Sequence, residues 1–265
     1  MTVIENPRSA RVRGIAALAR KKERAAEGRF LVEGPQAVRE LLAHQAEQAV
    51  EVFATTGTET WQTEVDRLAD AAHVPLTRVT DPVLAAMSDT VHPQGVVAVA
   101  RMRAVPVAEA CAGARLVAVL HEVRDPGNAG AVLRAADAAG ADAVVFAGDS
   151  IDPWHPKVVR ATTGSLFHLP VAVVGTLDAA LAAARAAGLR TVAADVRGAE
   201  LTPNDPRLRE PLAWVFGNEA RGLAPGDRGL VGEALRLPIF GAAESLNLAT
   251  AAAVCLYASA FAQRA

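Results

Sequence analysis

Five polar side chains fall in three short glycine-containing segments: Asn128 and Arg134 within Asp125–Arg134, Glu219 within Phe216–Leu223, and Ser245 and Asn247 within Leu237–Ala249. Amides, a hydroxyl and a carboxylate donate or accept hydrogen bonds, and a guanidinium adds a fixed positive charge. The chemistry open to such a set is hydrogen bonding to, and electrostatic stabilisation of, a bound group. Each segment ends a hydrophobic, strand-like run and leads into a helix-like run or a further loop. An α/β sheet builds a site in this way, at its strand ends.

In the first segment Gly127 and Gly130 allow a tight turn and a close approach of backbone to a ligand. Asn128 stands at the strand-to-helix turn, a favoured capping position, and capping alone would account for it. Arg134 follows nearly two turns into a helix of small apolar residues; if buried there it needs a partner. In the second segment Gly217 and Gly222 flank Asn218 and Glu219, with backbone groups facing the strand-end crevice. Glu219 is read as an acceptor for backbone N–H groups or for Arg134, as a loop-stabilising carboxylate or a catalytic one. In the third, Ser245 is placed to cap the final helix, and Asn247 to hydrogen-bond a hydroxyl.

The elements that must position these residues form two α/β halves. Helical character runs from Arg8 to Glu27, with Ile15, Leu18 and Ala19 as an apolar stripe. Phe30–Gly34 reads as strand and turn, Pro35 opens a helix, and 50–54, 75–79 and 95–100 read as strands, with helical segments at 60–72 and 82–87. Residues 102–114, with Pro106 and Gly113, form a linker. From Leu116 onward strands and helices alternate, with strands at 116–120, 143–146, 171–174, 190–194, 214–216 and 234–237, and a last helix over 246–262. Such alternation predicts a mostly parallel sheet with helices on both faces. The expected domains are therefore 1–101, a basic arm plus a small α/β unit, and 115–265.

The chain has 265 residues, 51% hydrophobic, enough for two ordinary domains with sizeable cores. No run of ~18 uncharged apolar residues predicts a membrane span. The first residues lack the apolar core of a signal peptide. Cys111 and Cys255 stand far apart, which fits a reducing cytoplasm. The six histidines lack HxxH and HExxH spacing, and no metal is expected. The glycine fingerprints of dinucleotide and P-loop sites are missing. Net charge is −2, unevenly spread. Residues 1–29 carry Arg8, Arg11, Arg13, Arg20, Lys21, Lys22, Arg24 and Arg29 against three glutamates, a net of +5, and the remainder is −7. A basic arm on an acidic body suggests a polyanion partner; a solvated or self-packed helix face is the other reading.

The order and spacing of the three segments resemble the motifs of the SpoU/TrmH family of RNA ribose 2′-O-methyltransferases, in the SPOUT superfamily, over roughly residues 115–262. The resemblance implies that the last strands and helix thread into a deep trefoil knot, and that two copies form a homodimer. It implies S-adenosylmethionine as cofactor, held by Ala194, Gly217, Asn218, Leu237, Ile239 and Leu246. It implies a catalytic set of Asn128, Arg134, Glu219, Ser245 and Asn247. The family's catalytic arginine, often described as a base, matches Arg134. A guanidinium with a pKa above ~12 does not lose its proton readily, so an electrostatic role on the ribose and its phosphate is physically easier. The N-terminal half, through Phe30–Gly34 and its element order, resembles the family's small substrate-recognition domain. That layout points to large-subunit (23S) ribosomal RNA, with tRNA methylation or a non-catalytic, ribosome-assembly RNA-binding role as alternatives. Lys157 and Arg160 share a helix face and are read as phosphate contacts or as a solvated face. Trp154 and His155 offer base stacking or simple packing.

Overall fold

The computed structural model describes residues 3–57, 59–203 and 205–265. They fall into two units, one reaching to Arg103 and including Asp152–His168, the other made of Ala104–Ile151 and Leu169–Ala265. The segment 152–168 therefore groups with the N-terminal unit, whereas strand–helix alternation alone predicts a continuous 115–265.

In the first unit the predicted helix over 8–27 is two helices, α1 (Ala10–Ala17) and α2 (Lys21–Glu27). Ser9 caps α1, accepting from the Val12 N–H, and Gly28 ends α2 in the left-handed region at φ 62°. There follow β1 (Arg29–Glu33), α3 (Pro35–His44), β2 (Ala49–Ala54), α4 (Thr60–Ala71), β3 (Leu76–Arg78), α5 (Asp81–Met87) and β4 (Val96–Arg101). The sheet order is β1-β4-β2-β3, antiparallel except for the β2/β3 pair. Val12 and Leu18 are buried against Leu31, Phe53, Val79, Val83, Leu84, Met87, Val97 and Val99. The basic N-terminal stretch thus packs its aliphatic side into the core and leaves most of its basic side chains exposed. Its stripe of aliphatic residues drives that burial.

The second unit holds α6 (Val107–Cys111), β5 (Leu116–His121), α7 (Pro126–Ala138), β6 (Ala143–Ala147), β7 (Val171–Val174), α9 (Leu177–Ala186), β8 (Arg190–Glu200), β9 (Leu212–Phe216), α10 (Pro225–Val231), β10 (Glu233–Arg236) and α11 (Leu248–Arg264); α8 (Pro156–Thr162) belongs to the first unit. Its six strands run in the order β10-β8-β9-β5-β6-β7, and every pairing is parallel. β5, β6 and β9 are buried along their whole length, as strands covered on both faces must be. Alternation divides their side chains. Val117, Val119, Ala213 and Val215 pack with Leu181, Ala184 and Val231 from α9 and α10. Trp214 points the other way, where its indole N–H donates to Ser259 of α11 at 2.9 Å. Both cysteines are buried and unpaired, and burial pushes the Cys255 thiol up to about 12. No helix among the described residues is long and apolar enough to cross a membrane.

Two of the element boundaries that differ from the sequence expectation bear on the site. The strand expected to stop at Ala194 resumes and reaches Glu200, because Ala193 pairs with Ala234 but the next residue, Leu235, pairs with Ala199. The skipped residues, 194–198, bulge off the ladder. The helix expected from 246 starts at Leu248, because Asn247 caps it.

Candidate active site

All strands of the second unit are parallel, so their C-terminal ends share one edge of the sheet. β5 and β9 are neighbours, which sets the loops after them side by side. The first segment leaves β5 and opens α7. Asp125, not Asn128, is the helix cap: its Oδ1 accepts from the Asn128 N–H at 2.7 Å, and Pro126 takes the first helical position. The signal that could have found it is an Asp immediately before a Pro, a readable helix start. The Asn128 side chain is thereby released for other contacts.

The second segment is a tight hairpin. Asn218 and Gly222 exchange backbone hydrogen bonds at 3.1 and 2.8 Å, and Gly222 has φ 64°. The Asn218 Oδ1 accepts from the Ala220 and Arg221 N–H groups, while its Nδ2 donates to the Glu122 carbonyl. Gly217 is needed for close approach and not for a positive φ. A Cβ there would lie 2.6–2.8 Å from the backbone of Gly222 and Leu223. The hairpin projects Glu219 back toward the first segment. Its carboxylate accepts from the Arg124 and Asp125 N–H groups at 3.3 and 3.0 Å, and from the Asn128 amide at 3.5 Å. Of the two acceptor roles open to Glu219, it fills the one toward backbone N–H groups and not the one toward Arg134.

The third segment, from Leu237 to Asn247, has no regular structure. Asn247 caps α11, accepting from the Ala249 and Thr250 N–H groups, and its Nδ2 donates to Asn128 Oδ1 at 3.0 Å. The cap expected at Ser245 is therefore Asn247; Ser245 is exposed. One side chain from each segment is now joined, in the order Glu219, Asn128, Asn247. Arg134 lies further along α7, exposed, with no hydrogen bond or ion pair among the described residues. It needs no partner there, because water solvates it.

Beside this network lies a cleft of about 360 Å³. The six positions Ala194, Gly217, Asn218, Leu237, Ile239 and Leu246 all line it, together with Glu219 and Ser245. Ala194 reaches it because of the bulge in β8, and so does Asp195, which no sequence signal singles out. Among the described residues, no backbone group from Leu237 to Leu246 is used in a hydrogen bond. Of these residues Leu237, Ile239, Glu244, Ser245 and Leu246 line the cleft, with backbone groups open to water or a ligand. Apolar side chains, unpaired backbone groups and charged residues such as Asp195, Arg197 and Glu244 share the lining, which suits a polar organic molecule such as a nucleoside.

The first unit sorts the basic residues. Arg24 is fully buried: its guanidinium donates to the Leu18 and Ala19 carbonyls and pairs with Asp152 at 2.6 Å. It is a structural residue, unable to reach a partner. Arg11 pairs with Glu51 and lies over the Phe53 ring, and Arg20 pairs with Glu23. Arg8, Arg13, Lys21, Lys22 and Arg29 are exposed without ion pairs among the described residues. Arg160 is committed to Glu33 and Asp89, at 3.0 and 2.9 Å, while Lys157 is exposed. Trp154 is buried, as a packing residue is, and the half-buried His155 caps α8. Burial, and then the nearby Arg24 charge, hold the His155 pKa below its ordinary value.

Residues 115–257 match the SpoU rRNA Methylase family, and residues 9–98 match the MRM3-like substrate binding domain. The 23S rRNA (guanosine(2553)-2′-O)-methyltransferase RlmP of Bacillus subtilis is 31% identical over 260 residues, covering 97% of this chain and 98% of the relative. A 23S rRNA (uridine(2479)-2′-O)-methyltransferase of Streptomyces viridochromogenes is 37% identical over 175 residues, 62% of this chain and 59% of that one. The AdoMet-bound rRNA methyltransferase of Sinorhizobium meliloti superposes with a TM-score of 0.84 at 29% identity, over 97% of each chain.

Proposed function

The chain belongs to the SpoU rRNA methylase family, and on that premise we propose that it methylates a ribose 2′-hydroxyl of 23S ribosomal RNA with S-adenosylmethionine. The observation that carries this reading is the cleft. All six residues expected to hold the cofactor line it, and the Glu219–Asn128–Asn247 chain stands beside it.

The cleft fits the cofactor. Gly217 keeps its floor low, and the unpaired backbone of Leu237, Ile239 and 244–246 offers donors and acceptors to adenine and ribose. When bound, S-adenosylmethionine supplies an already activated methyl group. The protein's work is then alignment, worth ~7–11 kcal/mol of a barrier when geometry is tight. Asn128 and Asn247 hold each other and so fix the loops that orient the two reactants. The Arg134 guanidinium stabilises negative charge on the ribose oxygen and its phosphate as the hydroxyl proton passes to water. The 2′-hydroxyl restricts the substrate to RNA.

The first unit is proposed to recognise RNA through Arg8, Arg13, Lys21, Lys22 and Arg29, and the second to perform the chemistry. The same reading includes the deep trefoil knot, a cytoplasmic site of action and a homodimer. Support for the dimer comes from α11, where Val254, Tyr257 and Phe261 share a face and are 45%, 38% and 70% exposed. Light scattering after gel filtration measures the dimer directly.

The test of function is methyl incorporation from labelled S-adenosylmethionine into 23S rRNA from cells lacking the gene, followed by mapping of ribose methylation. Label entering tRNA alone would select the tRNA reading. Cofactor binding without incorporation into either RNA would select the non-catalytic one.

A further inference from the structure

Away from the cleft, the first unit gathers three metal-binding side chains at one point. α3 carries Glu40 and His44 one turn apart on the same face. His168 follows the short 3₁₀ turn Ser165–Phe167. The Nε2 atoms of His44 and His168 lie 3.3 and 3.2 Å from the same oxygen, Glu40 Oε2, and the three ligand atoms are within 4.8 Å of one another. The two rings meet edge to face with centroids 4.5 Å apart.

The carboxylate is held in this pose. Its other oxygen, Oε1, accepts from Gln36 Nε2 at 2.6 Å and from Arg39 Nη2 at 2.9 Å. One oxygen is therefore fixed by outer partners, and the second is turned toward two imidazoles. Metal-ligating carboxylates are oriented in this way. Gly164 makes room: its φ is 106°, and a Cβ there would strike the Glu40 side chain at 2.4 Å.

We propose that Glu40, His44 and His168 bind a zinc-class divalent cation. Tetrahedral zinc with bonds of ~2.0–2.1 Å to nitrogen and oxygen sets adjacent ligand atoms about 3.3–3.4 Å apart. The observed oxygen–nitrogen separations of 3.2 and 3.3 Å already match that edge. Two imidazoles and one carboxylate select zinc and its neighbours over calcium or magnesium. His44 is 52% exposed and His168 27%, so an ion has a path in and water can complete the coordination. The ion would tie α3 to the segment 152–168, whose His168 stands 128 positions from Glu40 and which is otherwise held by contacts such as the Phe30–Phe167 stack. This site is independent of methyl transfer.

The experiment uses full-length, untagged protein stripped with a chelator and titrated with zinc chloride by calorimetry. One ion per chain is expected, with a rise in melting temperature on saturation. Cobalt(II) should give the intense visible absorption of a four-coordinate site. His168→Ala should weaken zinc binding by at least ~10-fold. If that variant loses its fold by circular dichroism, His44→Gln, a change at a half-exposed position, reports the same loss. Absence of saturable zinc binding to the folded parent overturns the proposal. So does unchanged affinity in folded His44→Gln, which would leave the three residues a hydrogen-bonded cluster only.

Discussion

Asn247 donates from its Nδ2 to Asn128 Oδ1 at 3.0 Å, joining the cap of the last helix to the first turn of α7, 119 positions earlier. Two jobs meet in one amide. Its oxygen satisfies the orphan N–H groups of α11, and its nitrogen holds Asn128 beside Glu219.

Those jobs separate by mutation. Asn247→Asp keeps the capping oxygen and removes the donor to Asn128. The melting temperature should change little while methyl transfer falls. Asn247→Ala should lose both and cost ~1 kcal/mol of stability through the cap. Denaturant melts and turnover on saturating RNA distinguish the pair; equal activity of Asn247→Asp and parent would remove the Asn128 link from the mechanism.

Arg134→Ala should cut methyl transfer by ~10²–10³-fold, the scale of one lost electrostatic stabiliser. Cofactor affinity should stay within about twofold, because Arg134 does not line the cleft. Stability should hold too, since an exposed guanidinium without partners is lost without penalty. Calorimetry with S-adenosylmethionine and a turnover assay measure both sides; retained turnover would exclude Arg134.

Gly217→Val is expected to disrupt the 217–222 hairpin through direct collision with the Gly222–Leu223 backbone. Overpacking of this kind costs ~1–3 kcal/mol. Cofactor affinity should fall more than RNA affinity. An unchanged cofactor affinity in the folded variant would show that this hairpin is not the cofactor floor.

Arg24→Ala leaves Asp152 buried without its partner and should destabilise the first unit by ~3–5 kcal/mol. Arg13→Gln combined with Lys21→Gln and Lys22→Gln should leave stability nearly intact and flatten the salt dependence of RNA binding by ~0.7 in slope per lost phosphate contact on single-stranded RNA. Affinities at several salt concentrations, with melts alongside, test both. A salt slope unaltered by the triple change would remove these residues from the RNA contact. This comparison is cleaner than deleting residues 1–29, which would take Val12 and Leu18 from the core.

The sequence by itself determined the elements and the three chemical segments. Their signals are local: apolar runs of strand length at 116–120 and 143–146, glycines at 127, 217 and 222, and a proline opening α3 and α7. Tertiary structure decided what each polar side chain does, because a hydrogen bond depends on which neighbour the chain presents from a distant position. Asn128 and Ser245 both have the residue type of a cap, yet Asp125 and Asn247 hold the caps once the helix starts are fixed. Arg24 and Arg13 read alike as basic residues of one arm. Folding buries the first beside Asp152 and leaves the second in water. The bulge that brings Ala194 and Asp195 to the cleft comes from a register shift against β10, and no pattern within β8 encodes it. Glu40, His44 and His168 converge for the same reason: periodicity supplies the first two on one helix face, and only the packed chain supplies the third.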